Sequence, residues 1–164
     1  MTTPTRPIPL HGRRVFCAAL AFGLVAAGCR RRQETAIADP NSSSFRPGQR
    51  FSYRTRPGEE SSTLTVIRVE AARTLGVIVH VSVEGLKMKS PRSPTGVAET
   101  IGHMPFSEAA VQRSVTALVG TAPPSAAAEA GYAEWRRAYE AGKAGIYSIT
   151  VAEAVDSIAR SLAG

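Results

Sequence analysis

The sequence predicts an α+β fold: an antiparallel sheet of three to five strands, followed by about three helices packed on one of its faces. Hydrophobic residues recur at every second position from Phe51 to Met104, and at every third or fourth position from Ser107 to the end. Strands gathered first and helices second do not make the alternating βαβ units of a parallel sheet.

Phe51, Tyr53 and Thr55 alternate with Ser52, Arg54 and Arg56, the pattern of a half-buried strand, and Pro57-Gly58 marks the turn that closes it. Thr63 to Val69, TLTVIRV, reads as a second strand. Val77, Val79, Val81 and Val83 line one face of a third, with Ile78, His80 and Ser82 opposite; Leu86 and Met88 continue it past Gly85, which marks a bulge. The loop SPRSPTG, residues 90 to 96, leads into VAETIGHM, a fourth strand.

Ser107 is a good N-cap for a helix with an apolar face of Val111, Val115 and Leu118, closed by Gly120. After Pro123-Pro124, Tyr132, Trp135 and Tyr139 fall on one edge of a second helix that ends at Gly142. Ile146 to Ile149 is short and strand-like. Thr150-Val151-Ala152-Glu153 is a capping box, and Val151, Val155, Ile158 and Leu162 form the apolar stripe of a last helix.

Ahead of this domain lie segments of a different kind. Residues 13 and 14 are arginines, and Val15 to Gly28, VFCAALAFGLVAAG, carries no charge. As a helix that stretch rises about 21 Å, short of the roughly 30 Å hydrocarbon core of a bilayer, so a signal peptide fits it better than a spanning helix. Val25-Ala26-Ala27-Gly28-Cys29 resembles the lipobox of bacterial lipoproteins, with Ala26 where leucine is commoner. The resemblance implies cleavage before Cys29, lipid attachment to its thiol, and a location in the bacterial cell envelope, facing the periplasm or the exterior. Gly12-Arg13-Arg14-Val15-Phe16 resembles a twin-arginine export signal through Arg13, Arg14 and Phe16. That route and general secretion both stay open, as does the choice between inner and outer membrane.

The expected organisation is therefore a signal peptide over 1–28, a lipid-anchored flexible tether over 29–44 and one domain over 45–164. The tether, RRRQETAIADPNSSS after the cysteine, is polar and without periodicity, and a coil of that length spans about 20 to 23 Å. Cleavage removes three arginines and no acid, lowering the net charge from +7 to +4; losing the tether's three arginines, Glu34 and Asp39 leaves +3. Most of the basic excess thus belongs to the leader and tether, and the sequence does not point to nucleic acid as a partner.

For chemistry the domain offers little that sequence alone can read. The expectation is no cofactor, no metal site and a non-catalytic binding domain, since no nucleophile elbow, phosphate loop or dinucleotide fingerprint is present. His80 with Glu84, and Glu99 with His103, are spaced four apart, an offset suited to a helix but spanning about 13 Å in a strand. One histidine from each segment can still meet across the sheet, so a hydrolase or metal-binding protein using His80 or His103 is the alternative. Ser107, His103 and Glu108 are close enough in sequence for a hydrolytic set, against the simpler reading that Ser107 caps a helix.

Two groups are candidates for binding. Arg50, Arg54 and Arg56, on one face of the first strand, suit phosphates or carboxylates of an acidic envelope component, unless Glu59, Glu60 or Glu70 pairs with them. Trp135 and Arg136, among Tyr132, Arg137 and Tyr139, have the composition of a protein-binding hot spot, or of a core edge. The expected partners are the membrane, through lipid on Cys29, and an envelope protein or acidic component. An immunity-type inhibitor of a secreted toxin is a further alternative, resting on size and export.

Overall fold

The computed structural model describes residues 39–163, so the export signal at Arg13, Arg14 and Phe16 and the lipid site at Cys29 lie outside the described residues. Five strands form one antiparallel sheet: β1 (Gln49–Tyr53), β2 (Thr63–Ala72), β3 (Gly76–Lys89), β4 (Val97–Ser107) and β5 (Val115–Thr121), in the order β4-β3-β2-β1-β5. Three helices accompany it: α1 (Glu108–Ser114), α2 (Ala126–Glu140) and α3 (Val151–Ala163). The α+β class expected from the sequence is the class observed.

Hairpins β2–β3 and β3–β4 build most of the sheet, and the pleat then sorts side chains by parity. Val79, Val81 and Val83 of β3 join Leu64, Val66, Met104 and Phe106 in one core with Ala110 and Val111 of α1 and Val151, Ala154 and Val155 of α3. Gly85 adopts φ +75°, a conformation that favours glycine, and the β3–β4 register slips between Glu84 and Met88. That bulge keeps Leu86 and Met88 pointing into the same core, both fully buried.

His80 sits between Val79 and Val81 and so points to the other face, where its ring meets Tyr132 and Trp135 of α2 at centroid distances of 5.0 and 4.7 Å. The helices are therefore divided, α1 and α3 on one face and α2 on the other, which corrects the expectation of a single helical face. A sheet whose interior strand β3 carries valines on one side and Ile78 and His80 on the other has two surfaces to cover.

The helix expected from Ser107 to Gly120 is half helix and half strand. Ser107 caps α1 by accepting from the Ala110 amide at 3.4 Å, but α1 ends at Ser114 and Val115 is extended at φ −67°, ψ 150°. The Ser114 hydroxyl is turned inward, donating to Ala110 O at 2.7 Å and accepting from the Val151 amide at 3.0 Å. Beyond it, Val115, Ala117, Leu118, Gly120 and Thr121 pair with β1, whose outer edge was otherwise free. Ile146 to Ile149 makes no strand; Tyr147 forms a lone parallel bridge to Phe106.

Two boundaries also move. The first strand stops at Tyr53, because the Arg54 amide turns to Ser114 O at 2.9 Å. The end of the expected tether belongs to the domain: Ser43 is buried, and Glu108 accepts from its hydroxyl at 2.7 Å and from the Ser44 amide at 3.1 Å. The capping box of α3 is present as read, with Thr150 and Glu153 exchanging bonds.

Candidate functional site

Three sequence features bring α2 against β3 and β4. Opposite Ser82, β4 carries one extra residue, since Val81 pairs with Met104 but Val83 with Ile101. His103, next to the core-facing Met104, projects to the α2 face and stands beside His80. Glycines then let the helix descend: a Cβ on Gly131 would stand 2.7 Å from the His103 Cβ, and one on Gly102 would stand 3.1 Å from the Ala127 carbonyl oxygen. Ser125 caps α2, accepting from the Ala128 amide at 3.2 Å.

Under α2 the polar groups form a chain. His80 Nδ1 and His103 Nε2 are 2.9 Å apart. On its other side, His80 Nε2 lies 3.3 Å from Glu70 Oε1, with geometry too poor for a regular hydrogen bond. The Glu70 carboxylate in turn accepts from the Tyr132 hydroxyl at 3.0 Å and from Arg136 at 3.1 and 3.2 Å. Arg68 lies over the Tyr132 ring at 4.4 Å and pairs with Glu129 at 3.6 Å.

This arrangement assigns the tautomers. A proton on His80 Nε2 is attracted by the carboxylate, whereas a lone pair there would face it repulsively. His80 Nδ1 is then the acceptor, His103 Nε2 the donor, and His103 Nδ1 the remaining lone pair. Both imidazoles are neutral at neutral pH. Burial pushes His80 down to about 3, aided by the positive charges of His103, Arg68 and Arg136 when these are present, and burial pushes His103 down to about 4. Burial and the bond to Glu70 raise the Tyr132 hydroxyl, so it stays protonated and keeps donating.

His103 reaches a cleft of about 520 Å³ between β4 and α2, lined by Ile101, Gly102, His103, Ala127, Gly131, Glu134, Trp135 and Ala138. Among the described residues no group of three His, Cys, Asp or Glu side chains is placed to hold a metal. The two histidines meet each other, and Glu70 approaches the opposite nitrogen of His80, so the three do not converge on one point.

The arginines singled out in the sequence go to three separate places. Arg50 bonds Thr63 at 2.9 Å and Glu84 at 3.2 Å, Arg54 bonds the Arg113 carbonyl at 2.7 Å, and Arg56 grips the buried Glu59 at 2.5 and 3.0 Å and reaches Asp156 at 3.5 Å. Each guanidinium is engaged within the chain. Trp135 is 8% exposed, stacks on Tyr139 at 5.0 Å and donates its indole N–H to Gly145 O at 2.8 Å. Arg136 spans Glu70 and Glu140. His80 and His103 do meet, while Glu84 and Glu99, four residues from them, take no part. Glu70 was legible only as a possible partner for arginines; the signal for its role is its place two residues from Arg68, the cross-strand neighbour of His80.

No protein-family model, curated protein or solved structure matches this chain.

Proposed function

We propose that this chain is a lipid-anchored protein of the bacterial cell envelope, held in the membrane through lipid on Cys29, whose domain binds an envelope protein or other envelope component without catalysis. The lipobox-like Val25 to Cys29 after an uncharged stretch supports the anchor. The observation that carries the binding reading is the cleft beside His103, an open concavity with apolar walls and two polar side chains, His103 and Glu134. The arginine cluster gives an acidic component less support, because Arg50, Arg54 and Arg56 are each engaged internally.

A second reading, a hydrolase with His103 as base, draws on the Glu70–His80–His103 chain. Two features favour binding over it. A base held near pKa 4 is a weak proton acceptor at neutral pH, and the cleft wall supplies no hydroxyl or thiol nucleophile.

Cell fractionation with labelled palmitate tests the anchor: the wild type is expected to label, to sediment with membranes and to begin at Cys29, and Cys29→Ser to do neither. An unlabelled, uncut wild type overturns it. Photocrosslinking from an unnatural residue at Ala138, compared with one at the exposed Arg73, tests the binding surface. A discrete adduct at the first position alone is expected; equal adducts from both, or none, count against the cleft.

A further inference from the structure

Resting on the cleft as a binding site, we propose that the group it takes is a primary alkylammonium, such as a lysine side chain or the amine of a lipid headgroup. The wall has two side chains able to donate a hydrogen bond, and both are directed elsewhere: His103 Nε2–H to His80, and the Trp135 indole N–H to Gly145 O. What remains among the lining side chains accepts only, the His103 Nδ1 lone pair and the Glu134 carboxylate. A ligand that satisfies two acceptors, one of them anionic, must donate hydrogen bonds and carry positive charge. Ile101, Ala127 and Ala138 supply apolar wall for an alkyl stem. Because burial keeps His103 unprotonated near neutral pH, its lone pair stays available to the ligand.

The tautomer is what makes the cleft selective. Glu70 sets the proton on His80 Nε2, His80 then takes the proton of His103 Nε2, and the acceptor faces outward two imidazoles away from the carboxylate that fixed it. Anions meet Glu134 and a second lone pair, and neutral alcohols leave the charge of Glu134 uncompensated.

The experiment is a titration of the ¹⁵N-labelled full chain with n-butylammonium, read at the imidazole nitrogens, with butyrate and n-butanol as controls. A saturable shift at His103 Nδ1 is expected from the ammonium and from neither control. Glu134→Gln, at an exposed position on α2, is expected to weaken it about tenfold while its melting curve stays that of the wild type. If none of the three probes moves His103, the cleft is not a binding site and both readings fall. If butanol or butyrate binds as well as the ammonium, or if Glu134→Gln binds it equally, the cleft stands and the ammonium assignment falls. Titration with an N-acetylated lysine amide and with phosphatidylethanolamine vesicles separates a protein source from a lipid source; binding of either supports the assignment, and binding of neither overturns it.

Discussion

The Nδ1 atom of His80 and the Nε2 atom of His103 stand 2.9 Å apart beneath α2, two neutral imidazoles sharing one proton between adjacent strands. His80 is completely buried, and its other nitrogen faces Glu70. Two polar rings in such a place are expensive unless each finds its partner, so the pair ties β3 to β4 beneath α2 and fixes which nitrogen of His103 accepts.

Stability is expected to fall in mild acid. The folded-state values of about 3 for His80 and about 4 for His103 lie below the unfolded value of 6.5. Below pH 6.5 the unfolded chain takes up protons that the folded chain refuses, so this contribution is whole above pH 6.5 and is lost as pH falls toward 4 and then 3. At pH 5 the loss is on the order of 1 to 2 kcal/mol for each imidazole. Urea midpoints at pH 5 and 7.5 read the difference, with Glu70 and Arg68 of β2 and Tyr132 and Arg136 of α2 packed around the pair. A His80→Leu, His103→Leu double variant should flatten the difference; an equal slope in that variant would assign it elsewhere.

Gly131→Ala is expected to destabilise although alanine is the better helix former. The helical preference is worth about 1 kcal/mol in alanine's favour. Against it stands a Cβ placed 2.7 Å from the Cβ of His103, an atom fixed to the β4 backbone that cannot swing aside. Overpacking of this kind costs about 1 to 3 kcal/mol. A lower melting temperature with an altered ¹⁵N spectrum at His103 is the expected result, and a stabilised variant would show that α2 shifts freely over the sheet.

The division between what the sequence disclosed and what it hid follows the range of the forces involved. Strand parity in Val77 to Val83, the bulge at Gly85 and the capping box at Thr150 are local, and each was legible. Leu118 was not: Val111, Val115 and Leu118 keep helical spacing, yet the open edge of β1 recruits Val115–Thr121 as a fifth strand, a tertiary effect invisible to periodicity. The same holds for α2, whose aromatic edge was read correctly while the face of the sheet it covers was not. At the site, the composition of Trp135 and Arg136 fits a binding hot spot or a core edge, and the structure makes them the roof over His80 and Glu70. That one histidine from each segment could meet was legible, but which atoms meet follows from the β3–β4 register, which local periodicity does not fix.

Glu59→Gln is expected to cost about 3 kcal/mol. The carboxylate is 2% exposed, accepts twice from Arg56 and once from the Lys87 amide at 2.7 Å, and so joins the segment after β1 to the distal end of β3. Burial alone would raise its pKa, but the bonds from Arg56 and Lys87 outweigh it and hold the carboxyl below its ordinary value. Its stabilising contribution is therefore present above the unfolded value near 4.5 and is lost as pH falls through the lower folded value. Guanidinium melts at pH 7 check the magnitude; a loss under 1 kcal/mol would mean that Glu59 is readily rehydrated.

Val119→Lys is expected to leave stability within about 0.5 kcal/mol of the wild type while reducing aggregation after heating. Along β5, Leu118 and Val119 are 56% and 53% exposed, and the strand pairs with β1 on one side only. From Val115 to Thr121 it carries no charge, so its outer row of amides and carbonyls is an open template for another strand. A lysine there repels a second edge without touching the core formed by Val79, Val81 and Val111. Light scattering during a thermal ramp, paired with a denaturant melt, reads both quantities. Unchanged scattering would locate the aggregating surface elsewhere, and a stability loss above about 1.5 kcal/mol would show that Val119 packs against a part of the chain.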